Sequence, residues 1–136
     1  MIKIKILSVG KTKERWLETA IAEFEKRLTG QVEFEYKWLK TDSRLIAEAE
    51  GEAQVICQDP EGRQVVRPGF AALIEEKGAR MVIVIGGAEG LPDALRKNHP
   101  LLSLSRMTFT HQLSRLVLVE QIYRAYTLIK GIPYHK

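Results

Sequence analysis

The sequence has a single cysteine, Cys57, among its 136 residues. One cysteine cannot close an internal disulfide, and the chain has no CxxC pair of the kind that binds zinc. The three histidines, His99, His111 and His135, are far apart in the sequence, and none has a carboxylate at metal-ligand spacing. We therefore expect no structural disulfide, no metal site and a reducing compartment.

Long apolar runs are also missing, since none approaches the roughly 20 residues that a membrane-spanning helix needs. Residues 1–6 alternate apolar and charged side chains, whereas a signal peptide needs an unbroken apolar stretch. We expect a soluble, cytoplasmic protein with no membrane partner. The net charge of +4 and the pI of about 9.3 are compatible with an anionic partner but do not establish one.

Predicted strands and helices alternate along the chain. The strands are predicted at residues 3–9, 32–38, 53–57, 81–85 and 101–104. The helices are predicted from a cap at Thr12 to residue 28, at 43–50, 68–77 and 91–97, and from a cap at Thr110 to residue 130. Residues 59–62 have the composition of a turn that follows the third strand. The strand at 81–85 is apolar on both faces, which is typical of a central parallel strand. The pattern predicts one α/β domain over residues 1–136 with a parallel sheet.

Two loops follow predicted strands and could hold a ligand. Gly86, Gly87 and Gly90 come after the central strand, where glycines let a ligand approach the backbone amides. Their GGxxG spacing differs from the dinucleotide fingerprint, so an ordinary turn is the alternative. Residues 102–109 combine hydroxyl groups with apolar side chains. They could enclose a polar ligand with an aromatic base, or simply form a polar connection.

The last predicted helix is apolar around most of its circumference, which indicates that it is covered on several sides. In a chain this small, we expect its own sheet to cover one side and a second subunit to cover the other, as in a two-fold dimer. Glu120 and Arg124 lie one turn apart on this helix. They could form an ion pair, or Arg124 could bind RNA or the partner.

The two ends of the chain carry groups suited to RNA. Five cations near the start could bind phosphates or could simply be solvated: Lys3, Lys5, Lys11, Lys13 and Arg15. The tail, residues 134–136, places an aromatic ring, an imidazole and a cation in succession. Chain ends are commonly disordered, but this one follows the last helix through a Gly and a Pro and could be held against the domain.

Five segments in order, residues 3–11, 84–91, 102–108, 120–125 and 133–136, resemble the RlmH family of SPOUT-class methyltransferases. The resemblance covers nearly the whole chain. It implies that S-adenosyl-L-methionine donates a methyl group to N3 of a pseudouridine in 23S rRNA of the large subunit or assembled ribosome. It also implies an alpha/beta-knot fold with a C-terminal trefoil knot, and a homodimer whose two subunits together complete the site.

The resemblance also assigns residues to the cofactor. Gly87 matches the cofactor-contacting glycine of the family, and Gln58 stands where the family has a leucine. The loop that would enclose the cofactor contains Ser105, Arg106, Met107, Thr108, Phe109 and Thr110. The segment between residues 38 and 53 is shorter than is usual in the family, so we expect a clipped second helix.

Methyl transfer to a ring nitrogen requires alignment of that nitrogen with the methyl carbon and removal of its proton. We hypothesise that Tyr134 and His135 are catalytic: together they position the base, and His135 assists deprotonation. Arg124 and Lys136 are expected to contact RNA phosphates. Two alternatives stay open. A non-catalytic RNA- or ribosome-binding module is favoured by Gln58 alone, and a nucleotide-binding regulatory domain by the glycine loop alone.

Overall fold

The computed structural model describes residues 1–64 and 67–133. Within them, the strands are β1 (Ile2–Val9), β2 (Val32–Leu39), β3 (Val55–Gln64), β4 (Arg80–Ile85) and β5 (Leu101–Ser103). The helices are α1 (Arg15–Arg27), α2 (Asp42–Glu50), α3 (Arg67–Lys77), α4 (Asp93–Asn98) and α5 (His111–Lys130). Among the described helices, none is long and apolar enough to cross a bilayer.

The five strands form one sheet in the order β2-β1-β4-β3-β5, and every neighbouring pair is parallel. The predicted parallel α/β architecture is therefore confirmed. β4 lies in the middle of the sheet, and residues 81–85 are buried on both faces, as their unbroken apolar run predicts. The second helix, α2, has nine residues; that it is clipped relative to the family stays a prediction.

Side chains on the two faces of the sheet enter two separate apolar cores. On one face, Ile4, Ile6 and Ile83 pack against α1, α3 and α5. On the other face, Leu7 and Val84 pack against α2 and α4. The alternation along each strand therefore fixes which helices lie on which side. It also leaves the carboxyl ends of the strands between the two helical layers.

Helix α5 packs between α1 and α3 as well as on the sheet. Leu118, Val119 and Ile122 are buried in this way, so two neighbouring helices cover part of its surface in addition to the sheet. The neighbouring helices supply part of the cover that was assigned to a second subunit. Leu113 and Leu128 still project outward from α5. The homodimer stays a prediction, as does the knot.

The two predicted helix caps have different outcomes. Thr110 does cap α5, because its hydroxyl oxygen accepts a hydrogen bond from the amide of Leu113 at 3.2 Å. The cap predicted at Thr12 is wrong. Helix α1 begins at Arg15, after Glu14, and Glu14 makes no side-chain capping bond. The Thr12 hydroxyl instead accepts a hydrogen bond from α5, a partner that local sequence does not reveal.

The predicted end of the third strand at residue 57 is also wrong, because β3 continues to Gln64. Gln58 and Arg63 both align with Leu102 of β5, so residues 59–62 are an excursion within the strand rather than its end. The turn-forming residues 59–62 thus interrupt the pairing of β3 with β5 without ending the strand. Gly62 permits it, since a Cβ there would lie 2.8 Å from the backbone carbon of Leu101.

We predict that Gly62→Ala lowers the free energy of unfolding by about 1–3 kcal/mol, the usual cost of overpacking. The added methyl group would meet backbone atoms of β5, which cannot turn aside as a flexible side chain can. Gly51→Ala is the matched control, because its Cβ would meet its nearest atom at an ordinary 3.6 Å. Urea denaturation of both variants checks this. Equal stability of Gly62→Ala and wild type would contradict it.

Candidate functional site

A cleft of about 730 Å³ lies at the carboxyl edge of the sheet. Its walls come from residues 58–61 of β3, the loop 85–91 after β4, residues 108–114 and the start of α1. This is the position at which open α/β sheets bind ligands, and the volume lies in the range of small-molecule sites. The fold therefore brings segments from both ends of the chain to one cavity.

The glycine loop is both a tight turn and a wall of this cleft. The amide of Gly90 donates to the carbonyl oxygen of Gly87 at 3.0 Å, and Gly90 has φ +88°. A Cβ on Gly86 would lie 2.5 Å from the backbone carbon of Gly90, and one on Gly87 would lie 3.2 Å from Cβ of Val9. The loop folds back on itself so closely that Gly86 has no room for a side chain.

The β3 wall carries a buried carboxylate. Asp59 is only 3% exposed, and its Oδ2 accepts a 2.9 Å hydrogen bond from Nη1 of Arg96. Nη2 of Arg96 also donates to Oε2 of Glu61 at 2.7 Å. Glu14 and Glu89 are two further carboxylates in the wall. Since Arg96 is the one Lys or Arg among the described lining residues, the cleft is acidic and suits a ligand that carries positive charge.

Only some of the residues predicted to contact the cofactor line the cleft. Gln58, Gly87 and residues 108–110 line it. Ser105, Arg106 and Met107 lie outside this lining: the Ser105 hydroxyl accepts from the Met107 amide at 3.0 Å, and Nε of Arg106 donates to Gln64 at 3.1 Å. Cofactor contacts of all these residues remain predictions.

Arg115 connects the first strand to the last helix, and the sequence reasoning missed its role. Although it is an arginine, it is 0% exposed. Its Nη2 donates to the carbonyl oxygens of Val9 at 3.0 Å and Gly10 at 2.6 Å, and to the Ser8 hydroxyl at 3.1 Å. Its Nη1 donates to the Thr12 hydroxyl at 2.9 Å. The signal in the sequence was a cation among the apolar residues near the start of the last helix.

The surroundings of Arg115 compensate its burial without a carboxylate. Its guanidinium carbon lies 4.1 Å from the centroid of the Trp38 ring, a favourable cation–π arrangement. Burial lowers the pKa of Arg115 to about 10, which still leaves the group charged at neutral pH. Among the described residues, no carboxylate forms an ion pair with it.

His111 is a second feature that was not singled out. It lies at the start of α5 and lines the cleft. Burial lowers its pKa, and the nearby positive charges of Arg115 and Lys13 lower it further. The imidazole is therefore mainly neutral at neutral pH and is able to accept a proton.

Of the predicted RNA-binding and catalytic residues, only Arg124 lies within the described part of the chain. Arg124 lies on α5 and donates from Nε to Oε2 of Glu120, so the ion pair considered from their spacing is present. Tyr134, His135 and Lys136 lie outside the described residues. Within the described part of the chain, no group of three or more His, Cys, Asp or Glu residues could hold a metal ion.

The parallel sheet, with a ligand-sized cleft at its carboxyl edge, places the protein in the class of α/β proteins that bind a small molecule at the ends of their strands. Comparison with solved structures narrows the fold. The chain matches TrmJ from Z. mobilis ZM4 with a TM-score of 0.55 at 12% identity, over 93% of this chain and 70% of that one. It matches a "probable methylase family protein" from Haemophilus influenzae Rd KW20 with a TM-score of 0.57 at 10% identity, over 99% and 70%.

Sequence comparison gives the family. A family model described as "Predicted SPOUT methyltransferase" matches residues 2–135. A protein of Protochlamydia amoebophila named ribosomal RNA large subunit methyltransferase H is 49% identical over 100% of both chains. Proteins of the same name from Caldicellulosiruptor saccharolyticus and Bacillus pumilus are 41% and 38% identical, over at least 98% of each chain. The chain belongs to the SPOUT methyltransferase family and is a methyltransferase, as the resemblance implied.

We predict that Arg115→Met lowers the free energy of unfolding by about 2–4 kcal/mol. Removal of the buried charge is favourable, but the carbonyl oxygens of Val9 and Gly10 lose their donor, at about 1–3 kcal/mol for each buried group left unpaired. Arg115→Lys should be intermediate, because one nitrogen cannot reach all the acceptors. Arg44→Met, at an exposed site, should change stability by less than about 0.5 kcal/mol in the same urea titration. A fully stable Arg115→Met variant would refute the proposed role.

Proposed function

We propose that this chain transfers the methyl group of S-adenosyl-L-methionine to N3 of a pseudouridine in 23S rRNA, with residues 1–136 acting as one SPOUT methyltransferase domain. The observation that carries the proposal is the 49% identity, over the full length of both chains, to a protein named for methylation of large-subunit ribosomal RNA. Relatives that bear the same name at 38–41% identity support it further.

The chemistry of the cleft supports the donor half of the reaction. S-adenosyl-L-methionine carries a sulfonium cation and an ammonium group, and the lining has an excess of carboxylates. Glu61 would accept hydrogen bonds from polar groups of the cofactor, and Phe109 and Leu91 would offer apolar contact to its adenine. Gly87 has no side chain, so its backbone in the cleft wall is accessible to the cofactor. The bound cofactor supplies an electrophilic methyl carbon; the protein supplies alignment, which can contribute up to roughly 7–11 kcal/mol.

The acceptor half is assigned to the tail. Tyr134 and His135 would position the base, and His135 would take the proton from the ring nitrogen. His111 is an alternative proton acceptor, because it lines the cleft and burial favours its neutral form. Arg124 and Lys136 would contact RNA phosphates, a role that for Arg124 would be added to its ion pair with Glu120.

We further infer a homodimer and a C-terminal knot. Exposed apolar side chains at the cleft mouth and along α5, namely Phe109, Leu113 and Leu128, favour contact with a second copy. In the dimer, the partner would help to complete the site. A knot would require α5, the segment after β5, to pass through an earlier loop. Both features are typical of the RlmH family.

The second candidate is a non-catalytic RNA- or ribosome-binding module. Gln58 favours it, because an amide lies in the cleft wall where the family has an apolar side chain. Such a module would keep the fold and lack saturable cofactor binding. The two candidates therefore differ in a property that can be measured without RNA.

We predict saturable heat on titration of S-adenosyl-L-methionine into the wild-type protein, and none with ATP or NAD. Gly86→Ala should weaken cofactor binding at least tenfold, because a Cβ there displaces the loop that lines the cleft. Gly51→Ala is the control. Gly51 follows the C-terminal end of α2, away from the carboxyl edge of the sheet, so this variant should bind the cofactor as wild type does. A wild-type protein without saturable heat would favour the non-catalytic module, and saturable heat with ATP or NAD would favour a nucleotide-binding domain.

We predict that the wild-type protein transfers labelled methyl groups to large subunits or ribosomes from cells lacking this protein, and that mass spectrometry locates the label on a pseudouridine. Truncation after Pro133 should lower turnover by at least about a hundredfold, the scale of general-base catalysis, with cofactor affinity nearly unchanged. His135→Gln and His111→Gln compared separately identify the proton acceptor. Undiminished turnover of the truncated chain would remove the tail from the mechanism.

A further inference from the structure

The segment from Gly10 to Trp16 contributes Glu14 and Trp16 to one rim of the cleft, and helix α5 holds its first three residues. Arg115 donates to the carbonyl oxygen of Gly10 and to the Thr12 hydroxyl. Nε2 of Gln112 donates to the carbonyl oxygen of Lys11 at 2.8 Å. Three successive residues are therefore held by side chains of the last helix. The loop is ordered before any ligand binds, so binding would cost little conformational entropy.

The same segment carries three cationic side chains. Lys11, Lys13 and Arg15 are exposed, and none of them forms an ion pair with a carboxylate in the described residues. Glu14 is the one carboxylate between them, and it faces the cleft. A rigid backbone that carries three unpaired cations within five positions is suited to a polyanion.

Trp16 is the aromatic member of this rim. Its side chain is 57% exposed and lines the cleft, whereas its neighbour Leu17 is 1% exposed and anchors α1 in the core. An indole of 150–250 Å² is usually buried, so its exposure beside a functional cleft requires a reason. Aromatic rings among cations are the combination by which proteins bind single-stranded nucleic acids: bases stack on the rings, and the cations attract phosphates.

The distribution of charge separates the two ligands of the reaction. Carboxylates, including Asp59 and Glu61, line the cleft, whereas the cations Lys11, Lys13 and Arg15 lie outside this lining, next to Glu14 and Trp16 in the sequence. A polyanionic strand would be repelled from the interior and attracted to the edge, while a cationic ligand would be drawn inside. The rim therefore favours RNA over a second copy of this chain, whose net charge of +4 offers no general attraction to three cations.

We propose that the rim formed by residues 11–16 is the binding site for the unpaired RNA strand around the target nucleotide. A base stacks on the indole of Trp16, and neighbouring phosphates contact Lys11 and Lys13. This inference rests on the proposed function, since it names the part of the chain that recognises the RNA substrate. It assigns Trp16 as a substrate-positioning residue.

The test uses the full-length chain and steady-state methyl transfer to large subunits that lack the modification. Trp16→Ala should raise the KM for RNA ten- to a hundredfold, the range for loss of one stacked base, with affinity for S-adenosyl-L-methionine unchanged. Trp16→Phe should restore most of the loss, because a phenyl ring also stacks. A merely structural role would change cofactor affinity or stability and would not be rescued in this selective way.

Binding of a fluorescent oligouridine of about twelve residues gives a readout that does not need turnover. The double variant Lys11→Gln/Lys13→Gln should reduce the slope of log affinity against log salt by about 1.4, the value for two phosphate contacts on a single strand. Lys26→Gln/Lys77→Gln removes the same charge at the far ends of α1 and α3 and should leave the slope unchanged.

Two results would overturn the proposal. One is a Trp16→Ala variant with wild-type KM and wild-type oligouridine affinity. The other is dissociation of a wild-type dimer by Trp16→Ala in sedimentation, which would make the indole an interface residue. If the wild-type chain bound oligouridine through the rim but transferred no methyl group to ribosomal RNA, the proposed function would fail while the RNA site stood.

Discussion

The hydrogen bonds of one buried guanidinium tie the two ends of this chain together. Arg115 holds the carbonyl oxygens that end β1, and it lies one turn into α5, whose first residues line the cleft. Val9 is fixed in this way. Its Cβ lies so close to Gly87 that a Cβ added to that glycine would be only 3.2 Å away. Arg115 therefore connects the end of β1, which contacts the glycine loop, to the β1–α1 rim and the start of α5. Replacement by an apolar residue would leave their backbone acceptors buried and unpaired.

A second constraint is the charge of the site relative to that of the whole molecule. The chain has a net charge of +4, yet the lining of its cleft includes four carboxylates, Glu14, Asp59, Glu61 and Glu89, against the single arginine Arg96 among the described residues. Arg96 prevents their mutual repulsion from opening the wall, because it bonds to Asp59 and Glu61 together. The other two carboxylates of the lining, Glu14 and Glu89, add further negative charge to the cavity. A methyl donor with a sulfonium centre and an RNA acceptor have opposite charges, so one small domain can bind both only if its charges are separated.

The sequence predicted what local periodicity determines and missed what distant contacts determine. The strand of residues 81–85 and the cap at Thr110 were predictable, because burial on both faces and an N-terminal hydroxyl leave signals within a few residues. The continuation of β3 was not, since pairing with β5 overrides the turn preference of residues 59–62. Arg115 was missed as an organising residue because its partners lie more than 100 positions away. The acidic cleft wall likewise joins separate segments.

Gln58 bears on whether this site is catalytic, and its position argues against reading the amide as a defect. It lies in β3 next to Asp59, aligned with Ile85 and Leu102, so its backbone is fixed on both sides by the sheet. Glutamine is one bond longer than leucine and unbranched at Cγ, so it can still occupy this position in the wall. Its amide both donates and accepts hydrogen bonds, and an adenine edge presents both kinds of partner. In the proposed cofactor site the amide would exchange apolar contact for polar recognition, so we expect cofactor binding without a leucine there.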